Sequence, residues 1–143
     1  MENIIKKTLN YIIAFCVSLF IITYLLRIPF YLTNNNPLVN EYYIKNYYLN
    51  VPLDFVLVFV YLLVGYIFIR LLKLKTMLTK LIVVAVTTGL ISLMFMLYFI
   101  SKPVTNNFFS KWFHSVGYKT IIYDIILLSC VFIVYNYMDK LII

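Results

Sequence analysis

The chain predicts an all-α integral membrane fold: a four-helix bundle made of two tandem two-span units with short interfacial helices. Three observations predict it, namely an apolar composition, four long apolar runs and an internal echo at constant spacing. Of the 143 residues, 64% are hydrophobic and 12% charged, against roughly 45–50% and about 25% in an ordinary soluble domain. A chain this short cannot hide so much apolar surface from water, and its mean hydropathy is +0.97. The runs cover about residues 9–26, 53–72, 81–100 and 120–138, each near the length of about 20 residues that spans a bilayer. Such segments are helices, because hydrocarbon offers the backbone no water and only internal hydrogen bonds satisfy it.

The first run follows Lys6-Lys7 but reads as a retained span rather than a signal peptide. It is too long, and Leu26-Arg27-Ile28-Pro29 follows in place of a small-x-small cleavage site. Next come the polar turn Thr33-Asn34-Asn35-Asn36-Pro37 and an aromatic stretch. In that stretch Leu38, Val39, Tyr42, Tyr43 and Tyr47 share one helical face, with Glu41 and Lys45 on the other. The second run begins beside Pro52 and Asp54, and the basic segment 71–80 joins the halves. In the third run Ala85, Thr88, Gly89 and Ser92 recur at helical spacing. Small stripes of this kind let helices approach closely in lipid. Ala14 and Ser18 echo it in the first run, which predicts that the first and third spans cross at the bundle centre. After Thr105-Asn106-Asn107, Phe108, Phe109, Trp112, Phe113 and Val116 again share one face, and the fourth run carries Asp124.

The two halves match at an offset of 70 residues: Val39 with Phe109, Tyr42 with Trp112, Tyr43 with Phe113, Tyr48 with Tyr118 and Asp54 with Asp124. The units are therefore 1–75 and 76–143. Each holds two spans, so the copies run parallel, related by an axis along the membrane normal. The aromatic faces predict amphipathic helices lying on the membrane surface, with Tyr42, Tyr43, Phe108, Phe109, Trp112 and Phe113 as interfacial anchors.

Seven basic residues (Lys6, Lys7, Arg70, Lys73, Lys75, Lys80 and Lys140) fall on one side of this topology and five (Arg27, Lys45, Lys102, Lys111 and Lys119) on the other. Both termini are thus expected on the cytoplasmic-equivalent side. The net charge of +7 suits anionic lipid headgroups rather than nucleic acid, for which there is no polar domain. No cofactor or metal is expected: His114 is the sole histidine, and no phosphate loop, catalytic triad or metal-ligand spacing is present. Cys16 and Cys130 read as small packing groups, since redox work wants a Cys-x-x-Cys pair. Ser115-Val116-Gly117-Tyr118 invites comparison with a potassium-channel filter, but Lys119 replaces the final glycine.

Asp54 and Asp124 are the acids within or at the edge of a span. An intramembrane carboxylate is a functional candidate by default. Both also lie near helix starts, where they could cap helices or pair with Lys119, Lys102 or Arg27. The polar residues deeper in the spans, Ser18, Thr87, Thr88, Ser92, Ser129 and Asn136, are sparse for a conduit.

The segment Phe108–Asp124, with Phe109-Ser110-Lys111-Trp112-Phe113, Gly117-Tyr118-Lys119 and Tyr123-Asp124-Ile125-Ile126-Leu127 at its end, resembles uncharacterised small multi-pass membrane proteins of nucleocytoplasmic large DNA viruses. The likeness covers the last third of the chain. It implies a virion internal membrane and contact with the capsid lattice. The expected function is thus a non-enzymatic structural or assembly protein, partnered by lipid and by other membrane or capsid proteins, with homo-oligomers a further option. Its alternatives are a small ion or proton pathway at Asp54 and Asp124, and an accessory subunit of a respiratory complex.

Overall fold

The computed structural model of the chain describes residues 2–34 and 36–141, and side chains from 3 to 138 apart from 35. Asn35 of the first polar turn and the side chain of Lys140 lie outside the described residues. Among those described, all regular structure is helical. Helix α1 (Glu2–Leu19) continues as a π-helical turn, Phe20–Leu25. The short α2 (Ile28–Leu32) and α3 (Pro37–Asn40) follow, α3 running into a second π-helical turn, Glu41–Lys45. Then come α4 (Tyr47–Leu71), α5 (Met77–Ile100), the short α6 (Phe108–Ser115) and α7 (Tyr118–Leu141).

Four segments are long and apolar enough to cross a membrane: Asn3–Leu25, Tyr47–Leu71, Met77–Ile100 and Tyr118–Met138, of 23, 25, 24 and 21 residues. At about 1.5 Å per residue they measure roughly 32–38 Å, against a hydrocarbon core of about 30 Å. The chain is an integral, multi-pass membrane protein by this measure. Its outward faces agree: Val56, Phe59, Leu63 and Ile67 form one exposed stripe on α4, and Val86, Leu90 and Met94 another on α5. In water such stripes would be an aggregation hazard; in a bilayer they meet lipid tails.

The second span starts six residues before the expected Leu53. Proline usually marks a helix's first turn, yet here Asn46 starts the helix and Pro52 lies inside it. The consequence for Asp54 is large, as described below.

Helix α7 is the hub, packing along α5 and α1 and touching α4, while α4 packs along α5. The first and third spans do not pack along each other as expected. The small stripe of α5 turns to α7 instead: a Cβ on Gly89 would stand 3.2 Å from Ile125 Cδ1, and Thr88 and Ser92 are buried beside it. On the α4 side, a Cβ on Gly65 would stand 3.2 Å from Val84 Cγ2. Ala14, Val84, Leu128, Val131 and Phe132 are fully buried and mark the core. Cys16, expected to pack, is exposed on the outward face of α1, and Cys130 is partly buried; both thiols are free.

Candidate functional site

The two connections, 26–46 and 101–117, meet at one end of the long helices, and asparagines organise both. Asn36 caps α3 by accepting from the Leu38 N–H at 2.9 Å, and Asn107 caps α6 by accepting from the Phe109 N–H at 2.8 Å. Each satisfies a donor that the first helical turn leaves open. Asn36 Nδ2 also donates to Ser115 Oγ at 2.7 Å, tying one connection to the other. Gly117 takes a left-handed φ of +60°, reversing the chain from α6 into α7. Ser115-Val116-Gly117-Tyr118 is therefore a turn and a helix start, not a carbonyl filter.

The aromatic faces are turned inward. Tyr42, Tyr43, Trp112 and Phe113 are buried in the chain itself, and Phe108 and Phe109 are half-buried. Tyr42 stacks on Phe108 at 5.6 Å between centroids and meets Trp112 at 5.4 Å. Phe113 stacks on Phe99 of α5 at 5.3 Å. The part of the expectation that presents these faces to lipid is corrected accordingly: they face the chain's own interior. Periodicity identifies an apolar face, but the second connection offers the first an apolar surface that competes with lipid. The rings left outward at this end are Tyr31, Tyr47, Tyr48, Tyr98 and Tyr118, where an interfacial belt would stand.

Beneath the packed connections lies a cavity of about 230 Å³. Nine of its seventeen lining residues are aromatic, and Asp54 and Asp124 both open into it. Asp54 is only 9% exposed. Its Oδ1 accepts from the Tyr42 hydroxyl at 2.5 Å; its Oδ2 makes no close hydrogen bond among the described residues, though the Tyr43 hydroxyl also interacts with the carboxylate. Asp124, half-buried, accepts at Oδ2 from Ser92 Oγ at 2.8 Å. Burial first, and then the negative charge of Asp54, hold the Tyr42 phenol above its ordinary range, so it remains a donor at neutral pH. The Tyr43 phenol is raised in the same way. Around the rim, Trp112 Nε1 donates to Thr120 Oγ1 at 2.7 Å, Tyr24 donates to the Tyr43 carbonyl at 2.9 Å, and Thr23 pairs with the Tyr123 hydroxyl at 2.5 Å.

Neither aspartate is a helix cap. Asp54 lies seven residues beyond Tyr47, and Asp124 six beyond Tyr118, roughly 9–10 Å along axes whose open N–H groups end within the first four residues. Of the expected bases, Lys102 Nζ donates to Tyr98 OH at 3.0 Å and Arg27 lies over the Phe30 ring at 4.7 Å, and neither these nor Lys119 is among the hydrogen-bond partners found for the two carboxylates. Among the described residues the hydrogen-bond partners of the two carboxylates are hydroxyls.

Sequence reasoning found both acids and five of the cavity rings, but missed Tyr61, Phe95, Phe99, Tyr123 and the bond from Ser92. Tyr61 stands seven residues after Asp54, two turns along the same face, a signal the sequence did contain. His114 Nε2 reaches the carbonyls of Phe99 and Lys102 at 3.0 and 2.9 Å, so it is the donor there and pins α6 to the end of α5. Among the described residues no three His, Cys, Asp or Glu side chains converge. No protein-family model, curated protein or solved structure matches the chain.

Proposed function

We propose that this chain is a non-enzymatic membrane protein that handles a cation, with Asp54 and Asp124 as its counter-charges in a small ion or proton pathway. One observation carries the reading: two acids 70 positions apart open into one aromatic cavity, and among the described residues their hydrogen-bond partners are hydroxyls, with no base bonded to either. An ionised carboxylate out of water needs a compensating charge. A proton or another cation supplies it where no lysine or arginine among the described residues does.

Two tandem two-span units in a four-helix bundle account for this convergence, each unit giving one aromatic segment and one Asp. Supporting that build, Asn36 and Asn107 cap matching helices. With both termini on the cytoplasmic-equivalent side, as the basic residues suggest, the cavity lies toward the opposite side. Deeper in, Thr88 of α5 follows Ser92 by one turn, buried and with its hydroxyl unpartnered, a polar step below Asp124.

Proteoliposomes with a trapped pH-sensitive dye test the reading. Under an imposed potassium diffusion potential, wild-type vesicles should move protons, and the double variant Asp54→Asn, Asp124→Asn should not. Wild-type vesicles as tight as protein-free ones would overturn it.

A second reading is a structural or assembly component, including one in a viral internal membrane facing capsid proteins. Tyr31, Tyr47 and Tyr48, all exposed at the end where the connections gather, favour it as a surface for partner subunits. Cross-linking mass spectrometry on the native membrane checks this: links from the Lys45 loop to coat or membrane proteins support it, and links confined to the chain itself count against it.

A further inference from the structure

We infer that the cavity takes a monovalent organic ammonium ion, gripped by ring faces and neutralised by the two aspartates, a proposal that rests on the cation reading above. The wall chemistry separates this ligand from a metal ion. Apart from the two carboxylates, the polar side chains of the lining are Trp112, Thr120 and four tyrosines, and the hydroxyls of Tyr42, Tyr123 and Thr120 are already engaged by Asp54, Thr23 and Trp112. A hard metal ion wants six or more oxygens around it. An alkylammonium ion wants the opposite, a shell of ring faces with carboxylate nearby.

The rings are placed for it. Tyr42 and Trp112 close the cavity where the connections meet, while Tyr61 of α4 and Tyr123 of α7 line it farther along the helices. Tyr42 and Tyr123 have their hydroxyls engaged by Asp54 and Thr23. Those bonds fix the edges of the two rings, which pack against Phe108, Trp112 and Tyr43 and line the cavity with the latter two. Asp54 Oδ2, on a side chain more than nine-tenths buried, makes no close hydrogen bond among the described residues and is an acceptor open to a guest in competition with the Tyr43 hydroxyl.

Size bounds the guest. A closed apolar cavity of about 150 Å³ holds benzene, so the 230 Å³ here suits a body of about ten heavy atoms by the same scale. A free cation such as a benzylammonium and the trimethylammonium end of a choline lipid present the same chemistry.

Trp112 is the sole tryptophan and lines the cavity, so its emission reports occupancy directly. Purified protein in nanodiscs of phosphatidylglycerol is titrated with benzyltrimethylammonium, and separately with neopentylbenzene, its uncharged isostere. The expected result is a saturable change in Trp112 emission with the cation, at least tenfold weaker with the isostere, and weakened at least tenfold in Asp54→Asn and in Asp124→Asn. The isostere comparison uses wild-type protein, so the outcome does not depend on how the variants fold. Repeating the titration in phosphatidylcholine nanodiscs separates the sources. Loss of the response there identifies a lipid headgroup as occupant, and its persistence a free cation; both support the ammonium site. Equal responses to cation and isostere overturn the inference, since the cavity would then read shape without charge. Proton flux in liposomes combined with no response to benzyltrimethylammonium also overturns it while leaving the cation reading intact.

Discussion

Tyr42 and Trp112, 70 positions apart in the chain, meet ring to ring at 5.4 Å, and each donates a hydrogen bond into the long helix that follows it, Tyr42 to Asp54 and Trp112 to Thr120. Two positions that echo each other in the sequence are therefore also in contact, and each ties its connection to the helix that follows. Removing one hydroxyl while keeping its ring probes the link. Tyr42→Phe leaves Asp54 without the Tyr42 hydroxyl, and losing a bond to a charged group costs about 1.5–3 kcal/mol in water-soluble proteins, while polar bonds in membranes average nearer about 0.6. A loss of about 1–2 kcal/mol is expected by thermal unfolding in detergent. An unchanged midpoint would show that the bond does not hold the connection.

Gly117 ends the second connection, turning α6 into α7 at a φ of +60°. A left-handed residue with a Cβ costs roughly 1–2 kcal/mol. Space is not the obstacle, because an added Cβ would meet only the Phe113 carbonyl at 3.6 Å. Gly117→Ala should therefore lower stability by about 1–2 kcal/mol through backbone strain alone, and Gly117→Asn by less, since asparagine tolerates this region better. If the two variants unfold together, strain at this turn is not the cause.

Gly65 marks a close approach of α4 to α5, with Val84 Cγ2 at 3.2 Å from where a Cβ would sit. Overpacking a filled site costs typically 1–3 kcal/mol. Gly65→Val should destabilise by about that amount, whereas in Gly65→Ala the better helix propensity of alanine, up to about 1 kcal/mol, offsets part of the crowding. Adding Val84→Ala to Gly65→Val should restore most of the loss. A double-mutant cycle with no coupling would show that these two positions do not set the helix separation.

The four spans were legible because hydropathy over about twenty residues is a property of the chain itself. Where they begin was less so: Pro52 suggested a start that Asn46 provides, and that shift moved Asp54 from the edge of a helix to its third turn. The acids and the aromatic faces were visible as residue types at a spacing. What the rings face was not, because a half-apolar helix buries its stripe equally well in lipid or against another aromatic segment. The choice depends on the second connection folding over the first, and no local pattern encodes it. The pairing of helices had the same limit. Small residues showed where a neighbour would approach, but only the packing identifies that neighbour as α7.

The inward turn of α6 makes the sharpest test of that competition. Phe113 and Val116 are buried, whereas Lys111 and Ser115 on the same short helix are exposed, and Ile44 and Tyr48 stand outward from the first connection. Nitroxide labels on single cysteines, introduced with Cys16→Ser and Cys130→Ser, report oxygen in lipid and a nickel chelate in water separately. A helix lying flat on the membrane would give Phe113 and Val116 high oxygen accessibility. Packing against Phe99 and Tyr42 instead shields the α6 face from both reagents, so labels at positions 113 and 116 should respond to neither. Labels at 111 and 115 should respond to the chelate, and those at 44 and 48 to oxygen. Because a label at 113 replaces a packed ring, Val116 and Ser115 form the gentler pair: equal oxygen accessibility at these two would place the helix on the bilayer surface and remove the roof of the cavity.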